Sequence, residues 1–227
     1  ASLQIGLKES DVTHLIKFST AIGYDGQIYR NKKKQSVKIT LYGKELIQDL
    51  ISHGIHPNKT HTLKPWHGPA HLMPHYWRGF FDGDGCITSS LRKREYRQWV
   101  VSLIGTPAIC RAFMRFVNIA YKPWVCKKSN LDVVHWSSIR PCKEIAMKLY
   151  DNATCYLDRK RMLVDQMLSQ PVRENKIQVL TTKPMLVKLK KEHGSWEIVA
   201  KKLGVSRNGL YKHIRKLGIN RRQWNRQ

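Results

Sequence analysis

Two aspartates that alternate with glycines are the residues of this sequence best suited to chemistry. Asp82 and Asp84 close the segment 77–85, WRGFFDGDG, whose first residues are apolar at helical spacing. Gly79 is expected to let a neighbouring helix approach closely. Gly83 and Gly85 are expected to permit the turn that takes the chain from helix into strand. Alone, Asp-Gly-Asp-Gly is most often a solvated turn. After an apolar helix it predicts Asp84 at the helix tip, where a carboxylate can bind Mg²⁺ together with phosphate oxygens.

An internal repeat indicates which elements position this segment. The chain resembles itself at an offset of 98 residues, which places Phe18 on Phe116. Each copy is predicted to form a strand, a helix, a pair of basic strands and a closing helix, with Ile47 paired to Ile145 in the closing helices. The paired strands are predicted at 27–34 and 37–42, and at 123–128 and 131–139. The segment with the two aspartates lies between the copies.

The segment 77–87, WRGFFDGDGCI, resembles the signature of the LAGLIDADG homing endonucleases, and 155–160, CYLDRK, resembles the closing helix of that family. The resemblance covers residues 1–168 and implies an α+β fold of two αββαββα repeats. Repeat one, at 1–70, lacks its opening helix, and repeat two occupies 71–168. In this family two motif helices pack across a pseudo-twofold axis, and each precedes an antiparallel sheet that lies along the DNA major groove.

The resemblance also implies roles for the motif residues. It makes Asp84 the catalytic, metal-binding acid, with Mg²⁺ or Mn²⁺ as cofactor, and gives Asp82 a structural role at the helix end. A metal would neutralise developing negative charge and lower the pKa of the attacking water. A basic residue polarises the water network in this family, and periodicity leaves Lys38, Lys127 and Lys128 open as candidates.

The chain departs from the family pattern because it has two repeats and one motif. At the same offset a first motif would begin about twenty residues before Ala1. We expect a truncated form of a two-motif enzyme, because the first repeat begins abruptly with a well-formed strand. The missing motif bears on whether the chain can cleave DNA and not on whether it can bind DNA.

Positive charge predicts the partner. The chain has 41 Lys and Arg against 16 Asp and Glu, a net charge of +25 that would make it repel itself without a polyanion nearby. Charge predicts a nucleic acid and does not separate DNA from RNA. The family resemblance implies double-stranded DNA with a long target site, bound by a monomer that acts as a pseudo-dimer. On the sheets, alternate side chains would contact base edges and their neighbours phosphates, although each could also be a solvated charge. The candidates are Arg30, Asn31, Lys32, Lys33, Lys34, Arg92, Lys93, Arg94, Arg97, Gln98 and Lys128.

A second module is predicted at the C-terminal end. Residues 169–183 contain a linker, and 184–227 are expected to form an all-α helix-turn-helix domain, because AKKLGVSRNGLYKHI resembles such segments of phage and bacterial proteins. Ile198 is among the apolar residues expected in its core. The alternative is a helical cap that does not bind DNA. The residues expected to contact DNA are Ser206, Arg207, Asn208, Tyr211, Lys212, Arg221 and Arg222.

Composition limits the cellular setting. The five cysteines are widely spaced and form no C-x-x-C pair, so neither a disulfide framework nor a zinc module is indicated. No apolar stretch approaches the ~18 residues of a membrane helix, and no signal peptide is evident. We expect an intracellular protein with no membrane partner, which is not secreted and acts in the host cytoplasm or nucleoid or in an organelle matrix.

Three functions compete. The first is a LAGLIDADG site-specific, metal-dependent double-strand DNA endonuclease, encoded in a mobile intron or free-standing. The second is a non-cleaving transcriptional regulator on a degenerate LAGLIDADG body, which the single motif favours and the intact DGDG sequence opposes. The third is an intron RNA maturase. A helix-turn-helix that binds DNA argues against this function.

Overall fold

The structure is a computed structural model that describes residues 2–92, 96–172 and 181–219. The chain divides into two compact units, Ala1–Pro171 and Val172–Gln227. The first combines helices with two antiparallel sheets, and the second is helical where it is described. None of the described helices is both long and apolar enough to cross a membrane.

The first unit contains the two predicted copies in sequence. The elements of the first copy are β1 (Ser2–Lys8), a 3₁₀ turn (Glu9–Asp11), α1 (Val12–Ala21), β2 (Tyr29–Asn31), β3 (Ser36–Tyr42) and α2 (Lys44–Ser52). Short 3₁₀ turns at Lys59–His61 and Ala70–Leu72 precede the second copy. Its elements are α3 (Met73–Asp84), β4 (Gly85–Arg92), β5 (Tyr96–Gly105), α4 (Pro107–Val117), β6 (Trp124–Lys128), β7 (Leu131–Ser137), α5 (Ile139–Tyr150) and α6 (Asp158–Ser169).

The two sheets repeat one strand arrangement. The first has the order β1-β3-β2 and the second β4-β5-β7-β6, with all neighbours antiparallel. In both sheets the helix-facing side chains alternate with open ones, because successive residues of a strand point to opposite faces. The buried, helix-facing residues are Val37, Ile39 and Leu41 in the first sheet and Val101, Leu103, Val134 and Trp136 in the second.

The registers correct the predicted alignment of the copies. Leu3 pairs with Leu41 in the first sheet, and Val101 pairs with Trp136 in the second. The first strands therefore match at an offset of 98, whereas the last strands match at 95. The closing helices begin at Lys44 and Ile139, so the predicted pairing of Ile47 with Ile145 was wrong by three residues. The turn before the last strand is shorter in the second copy, which accounts for most of the difference.

The first copy lacks an opening strand as well as an opening helix in the described residues. β1 lies at the edge of its sheet, whereas its counterpart β5 lies between β4 and β7. The prediction named the opening helix as missing and did not mention the opening strand. Packing follows the same difference, because α2 has no buried residue while seven residues of its counterpart α5 are buried.

Aromatic packing holds α3 in the core of the second copy. The Trp77 ring lies 5.3 Å from that of Phe113, and the Phe81 ring lies 6.3 Å from the same residue, measured between centroids. The start of α6 contacts the first copy, where Arg159 donates to buried Asp11 over 3.0 Å. The aromatic contacts thus fix α3 within the second copy, and the Arg159–Asp11 ion pair joins the two copies.

The second unit is built around three helices, α7 (Lys183–His193), α8 (Trp196–Lys202) and α9 (Arg207–Lys216). Two serines cap helices: Ser195 accepts from the Glu197 N–H and Ser206 from the Gly209 N–H. Gly204, in the turn between α8 and α9, has a φ of +63°, which glycine adopts without strain. Ile198 is exposed, against expectation, because it lies on the outer face of α8. The buried core consists of Leu186, Trp196, Val199, Ala200, Leu210, Ile214 and Ile219.

Candidate active site and nucleic-acid interface

Asp84 is the last residue of α3 and is exposed to solvent. The helix buries Trp77 and Phe81 on one face and passes directly into β4. Gly85 follows with extended φ and ψ of −87° and 161°, and its N–H donates to the Phe81 carbonyl. The carboxylate of Asp84 therefore lies where helix and sheet meet.

Asp82 is buried and fully engaged. Its Oδ1 accepts from the Tyr150 hydroxyl over 2.5 Å, and its Oδ2 accepts from the Leu157 N–H over 3.0 Å. Burial and the neighbouring Asp82 raise the pKa of Tyr150 well above its usual range. Asp82 therefore joins α3 to the end of α5 and the start of α6, and its oxygens face protein donors rather than solvent.

Lys160 holds the end of α3. Its Nζ donates to the carbonyls of Phe81, Asp82 and Gly85 over 2.5, 2.9 and 2.6 Å. The last carbonyls of a helix lack partners within the helix, and a cation near them is favoured by the helix dipole. An ammonium has three N–H donors, and all three are used here. Burial lowers the pKa of Lys160 to about 8, and the charge of Asp82 opposes that shift.

Sequence reasoning missed the role of Lys160, which entered only as part of the segment that resembles the closing helix. A signal was present, because Lys160 shares a helical face with Val164 and Met167, both completely buried. A lysine on such a face must direct its charge to buried acceptors.

Arg78 is a second buried cation that the sequence analysis did not single out. Its Nε donates to the Cys155 carbonyl over 2.7 Å and its Nη1 to the Leu149 carbonyl over 3.1 Å. Its Nη2 lies 2.8 Å from Nδ1 of His75. Arg78 and Lys160 thus hold α3 against α5, α6 and the segment between them.

The motif glycines do not act as the pattern suggested. Gly79 and Gly83 are exposed, and a Cβ at either position would meet no atom within 4 Å, so no described helix approaches them. Neither Gly83 nor Gly85 has a positive φ, so the chain turns without left-handed backbone. Gly85 is required for a different reason, since its Cβ would lie 2.5 Å from the Phe81 carbonyl oxygen. An open groove of about 400 Å³ borders Gly79 and Gly83, with Ile5 and Leu15 of the first copy on its wall.

Alanine at Gly83 and alanine at Gly85 are expected to change stability in opposite directions. Gly85→Ala should lower the free energy of unfolding by ~1–3 kcal/mol, because the new Cβ collides with backbone that cannot give way cheaply. Gly83→Ala, the matched control, should raise it by roughly 0.5–1 kcal/mol, since alanine is favoured within a helix. Urea unfolding of both variants measures the difference. Equal effects would show that the contact at Gly85 is not restrictive.

The lysines expected to polarise water lie on the sheets. Lys38 of β3 is exposed opposite Gly6 and Tyr29. Lys127 of edge strand β6 is opposite buried Asp132 and therefore points to the helix side. The lysine that contacts the end of α3 is Lys160 instead, because the segment after α5 folds back onto the motif.

The first sheet has a polar face opposite its helices, which we call its open face. Register places Asn31 and Lys38 on it, whereas Arg30 is opposite Val37 and points to the helix side. Arg30 is paired there with Glu9, so the structure does not place it among the open-face residues. The Asn31 side chain accepts from the Lys34 N–H over 3.0 Å and shapes the turn, in which Lys32 and Lys34 are exposed.

The candidate residues of the second sheet are divided in the same way. Arg92 and Gln98 lie on its open face and are joined by a hydrogen bond of 2.7 Å. Lys128 lies on the same face, opposite Leu131. Arg97 has the register of buried Trp99 and donates to Ser89 over 3.3 Å, so it points to the helix side. Lys93 and Arg94 lie outside the described residues.

Helix α9 exposes Arg207, Asn208 and Lys212. The Arg207 guanidinium lies 5.5 Å from the centre of the Tyr211 ring and 3.4 Å from the carboxylate of Glu197. The Tyr211 hydroxyl donates to Glu197 over 2.6 Å, while Ser206 is occupied as the N-cap. Hydrogen bonds from Ser195 and then Tyr211 lower the pKa of Glu197 to about 2. Glu197, which the sequence analysis did not single out, thus orders Arg207 and Tyr211, two of the residues expected to contact DNA. Arg221 and Arg222 lie outside the described residues.

Comparisons with known proteins identify the fold. No protein-family model matches the sequence, and no curated protein does either. The structure is similar to that of the LAGLIDADG homing endonuclease I-GzeII in complex with its DNA target, with 12% identity, 95% of this chain and 86% of that chain covered, and a TM-score of 0.52. It is also similar to I-LtrWI bound to target DNA, with 13% identity, 84% of each chain covered and a TM-score of 0.51. At this identity the likeness shows the fold alone: a mixed helix and sheet structure of the LAGLIDADG homing endonuclease type.

Proposed function

We propose that this protein binds a long double-stranded DNA site and, with a divalent metal, hydrolyses a phosphodiester at Asp84. The observation that carries the proposal is the exposed carboxylate of Asp84 on a helix end that buried Asp82 and Lys160 hold in place. Fixing a reactive group in this way is typical of sites that stabilise a transition state. Similar solved structures have been determined with bound DNA, in accord with the proposed substrate.

The residues around Asp84 fit a magnesium ion that is completed by its substrate. Mg²⁺ keeps several waters and is commonly bound by one or two carboxylates together with phosphate oxygens. The described part of the chain contains no group of three His, Cys, Asp or Glu side chains that could enclose a metal. The single carboxylate of Asp84 suits a metal site whose remaining ligands are waters and phosphate oxygens. When bound, the metal lowers the pKa of water and neutralises charge on phosphate, while Lys160 keeps the Asp84 backbone in position.

Charge and the open faces of the sheets support duplex DNA as substrate. The net charge of +25 provides attraction to phosphates that does not depend on sequence. Lys38, Arg92 and Lys128 are basic residues on the open faces, and Gln98 lies beside Arg92. A two-stranded or larger β-surface can enter the major groove, where Arg, Lys and Gln recognise base edges. We propose that one chain with its two sheets covers one site.

We further propose that residues 184–227 form a helix-turn-helix that extends the site. Three helices around one apolar core, with α9 exposed after the Gly204 turn, support this assignment. Arg207, Asn208, Tyr211 and Lys212 would then contact a major groove, with Ser206 at the helix start. Two DNA-binding units joined by a short segment increase the affinity through high effective concentration.

Removal of the second unit should change the salt dependence of DNA binding. Deletion of residues 172–227 is expected to weaken binding and to flatten the slope of log K against log[salt] by about 0.9 for each phosphate that the protein no longer neutralises. Fluorescence titrations from 50 to roughly 200 mM salt measure the slope. The control is the full chain with Arg207, Lys212 and Lys216 changed to glutamine, which should flatten the slope without removing a folded unit. An unchanged slope in both proteins would exclude phosphate contacts by this unit.

A non-cleaving DNA-binding regulator is the second candidate. The observation that favours it is that α3 is the only described helix that ends in such a motif. Selection of duplexes from a randomised library by the full chain in Ca²⁺, with duplex and single-stranded RNA as competitors, tests the binding that both candidates share. Recovery of one long DNA site supports both. Preferential retention of RNA would contradict both and favour an RNA maturase.

A further inference from the structure

The open face of the second sheet carries an apolar patch among its polar side chains. An antiparallel sheet with one face in the core usually exposes polar side chains on the other. Here the register places aliphatic side chains opposite the helix-facing core, at positions that are half-buried. They are Val100, Ile104 and Val133, with Cys126 beside them. An exposed apolar patch of this kind indicates an interaction surface.

Trp124 is a large, exposed hydrophobic residue on this face. It lies on the outer strand β6, has 65% of its surface exposed, and is directly opposite His135. The two rings are 4.5 Å apart between centroids, so the indole is supported on one side and open on the other. A cross-strand row connects the motif strand to this pair, through Cys86, Ser102, His135 and Trp124. The row begins two residues after Asp84.

The first sheet presents a different face. Its open side carries the polar or charged side chains of Gln4, Asn31 and Lys38, and its aromatic residues Tyr29 and Tyr42 end in hydroxyl groups. These side chains can donate hydrogen bonds to base edges. The open face of the second sheet also has such donors, in Arg92, Gln98 and Lys128, but it adds an aliphatic patch and the Trp124 ring that the first sheet lacks. Two sheets related by an internal repeat therefore offer different chemistry to a common partner.

We propose that the second sheet recognises thymine through its C5-methyl group, with the Trp124–His135 pair as the anchor. The inference rests on the proposed function and names the specificity of one half of the interface. Thymine is the only base that places a methyl group in the major groove, and apolar side chains recognise it by contact. Arg92 and Lys128 lie on the same open face, in its first and last cross-strand rows, where cations can bind phosphates. That charge favours DNA over an apolar protein partner.

The test replaces thymine by deoxyuridine, which removes the methyl group and leaves the hydrogen-bonding edge unchanged. Each thymine in the duplex selected by the full chain is replaced in turn, and affinity is measured in Ca²⁺. We expect affinity to fall roughly fourfold per contacted methyl, the worth of one buried CH₂ group. The sensitive positions should cluster in one half of the site. Trp124→Ala should weaken binding of the thymine duplex and abolish the sensitivity nearest to its ring.

The matched control is Tyr42→Ala, which removes an aromatic residue that is 80% exposed on the first sheet. It should leave every deoxyuridine effect unchanged. Trp124 is exposed, so its replacement should leave the thermal unfolding temperature nearly unaltered. Binding without any deoxyuridine effect, or an effect that persists in Trp124→Ala, would overturn the inference while the proposed function stands. Failure to select any duplex would instead contradict the proposed function itself.

Discussion

Asp84→Asn is expected to abolish DNA cleavage in Mg²⁺ while leaving affinity for the same duplex unchanged or higher. The substitution removes the one exposed carboxylate at the end of α3, and with it the proposed protein ligand of the metal. Because metal stabilisation of the transition state is worth several kcal/mol, the rate should fall by about 10³-fold or more. Affinity should not fall, because a negative charge near phosphate is removed. Single-turnover cleavage and titration in Ca²⁺ separate the two effects.

The control for this variant is Asp165→Asn, which removes the same charge from an exposed position on α6. It should leave the cleavage rate within about twofold, since a surface ion pair contributes little. Loss of binding and of thermal stability in Asp84→Asn would show that Asp84 is a structural residue. A variant that still cleaves would remove Asp84 from the proposed mechanism.

Lys160→Met is expected to destabilise the first unit by roughly 3 kcal/mol and to reduce cleavage, because three carbonyls where α3 passes into β4 would lose the buried ammonium that donates to them. The three carbonyls belong to Phe81, Asp82 and Gly85, which surround Asp84 in sequence. Methionine keeps most of the length of the side chain, so the destabilisation reports mainly hydrogen bonds. Lys143→Met is the control, since it removes a single bond to the Leu168 carbonyl away from the motif. Equal destabilisation by the two substitutions would show that Lys160 has no special role at the end of α3.

The pH dependence of stability gives a second readout for Lys160. Burial lowers its pKa from 10.5 to about 8, so between these values the unfolded chain binds more protons than the folded chain. Stability contributed by this group therefore rises as the pH increases through that window. The difference in unfolding free energy between wild type and Lys160→Met should be larger at pH 10 than at pH 7. A difference that is constant with pH would show that Lys160 has an ordinary pKa in the folded protein.

Local pattern was sufficient to predict the elements and the position of Asp84. Apolar spacing before the DGDG sequence predicted a helix that ends there, and α3 ends at Asp84. Alternation predicted paired strands, and β3 and β7 begin within one residue of the predicted starts. These features depend on neighbours a few residues apart, which a sequence displays directly.

Contacts distant in sequence could not be predicted in this way. Lys160 reaches carbonyls 75 to 79 positions earlier, and Arg78 contacts a carbonyl 77 positions later. The side of the sheet on which Arg30, Arg97 and Lys127 lie depended on register, which a shift of one residue reverses. Gly85 is required because a Cβ would collide with the Phe81 carbonyl, and not because of its backbone conformation. The glycine pattern of the motif therefore suggested the wrong cause.

The most direct test of the nuclease assignment is cleavage by the full chain of the duplex that it selects in Ca²⁺. The selected duplex is transferred to Mg²⁺, and the ends formed on each strand are sequenced, with Asp84→Asn in parallel. We expect cleavage at one defined phosphate within the bound site by the wild-type chain and none by the variant. A site that is bound tightly yet stays intact on both strands in Mg²⁺ and Mn²⁺ would contradict the nuclease assignment and establish the protein as a DNA-binding regulator.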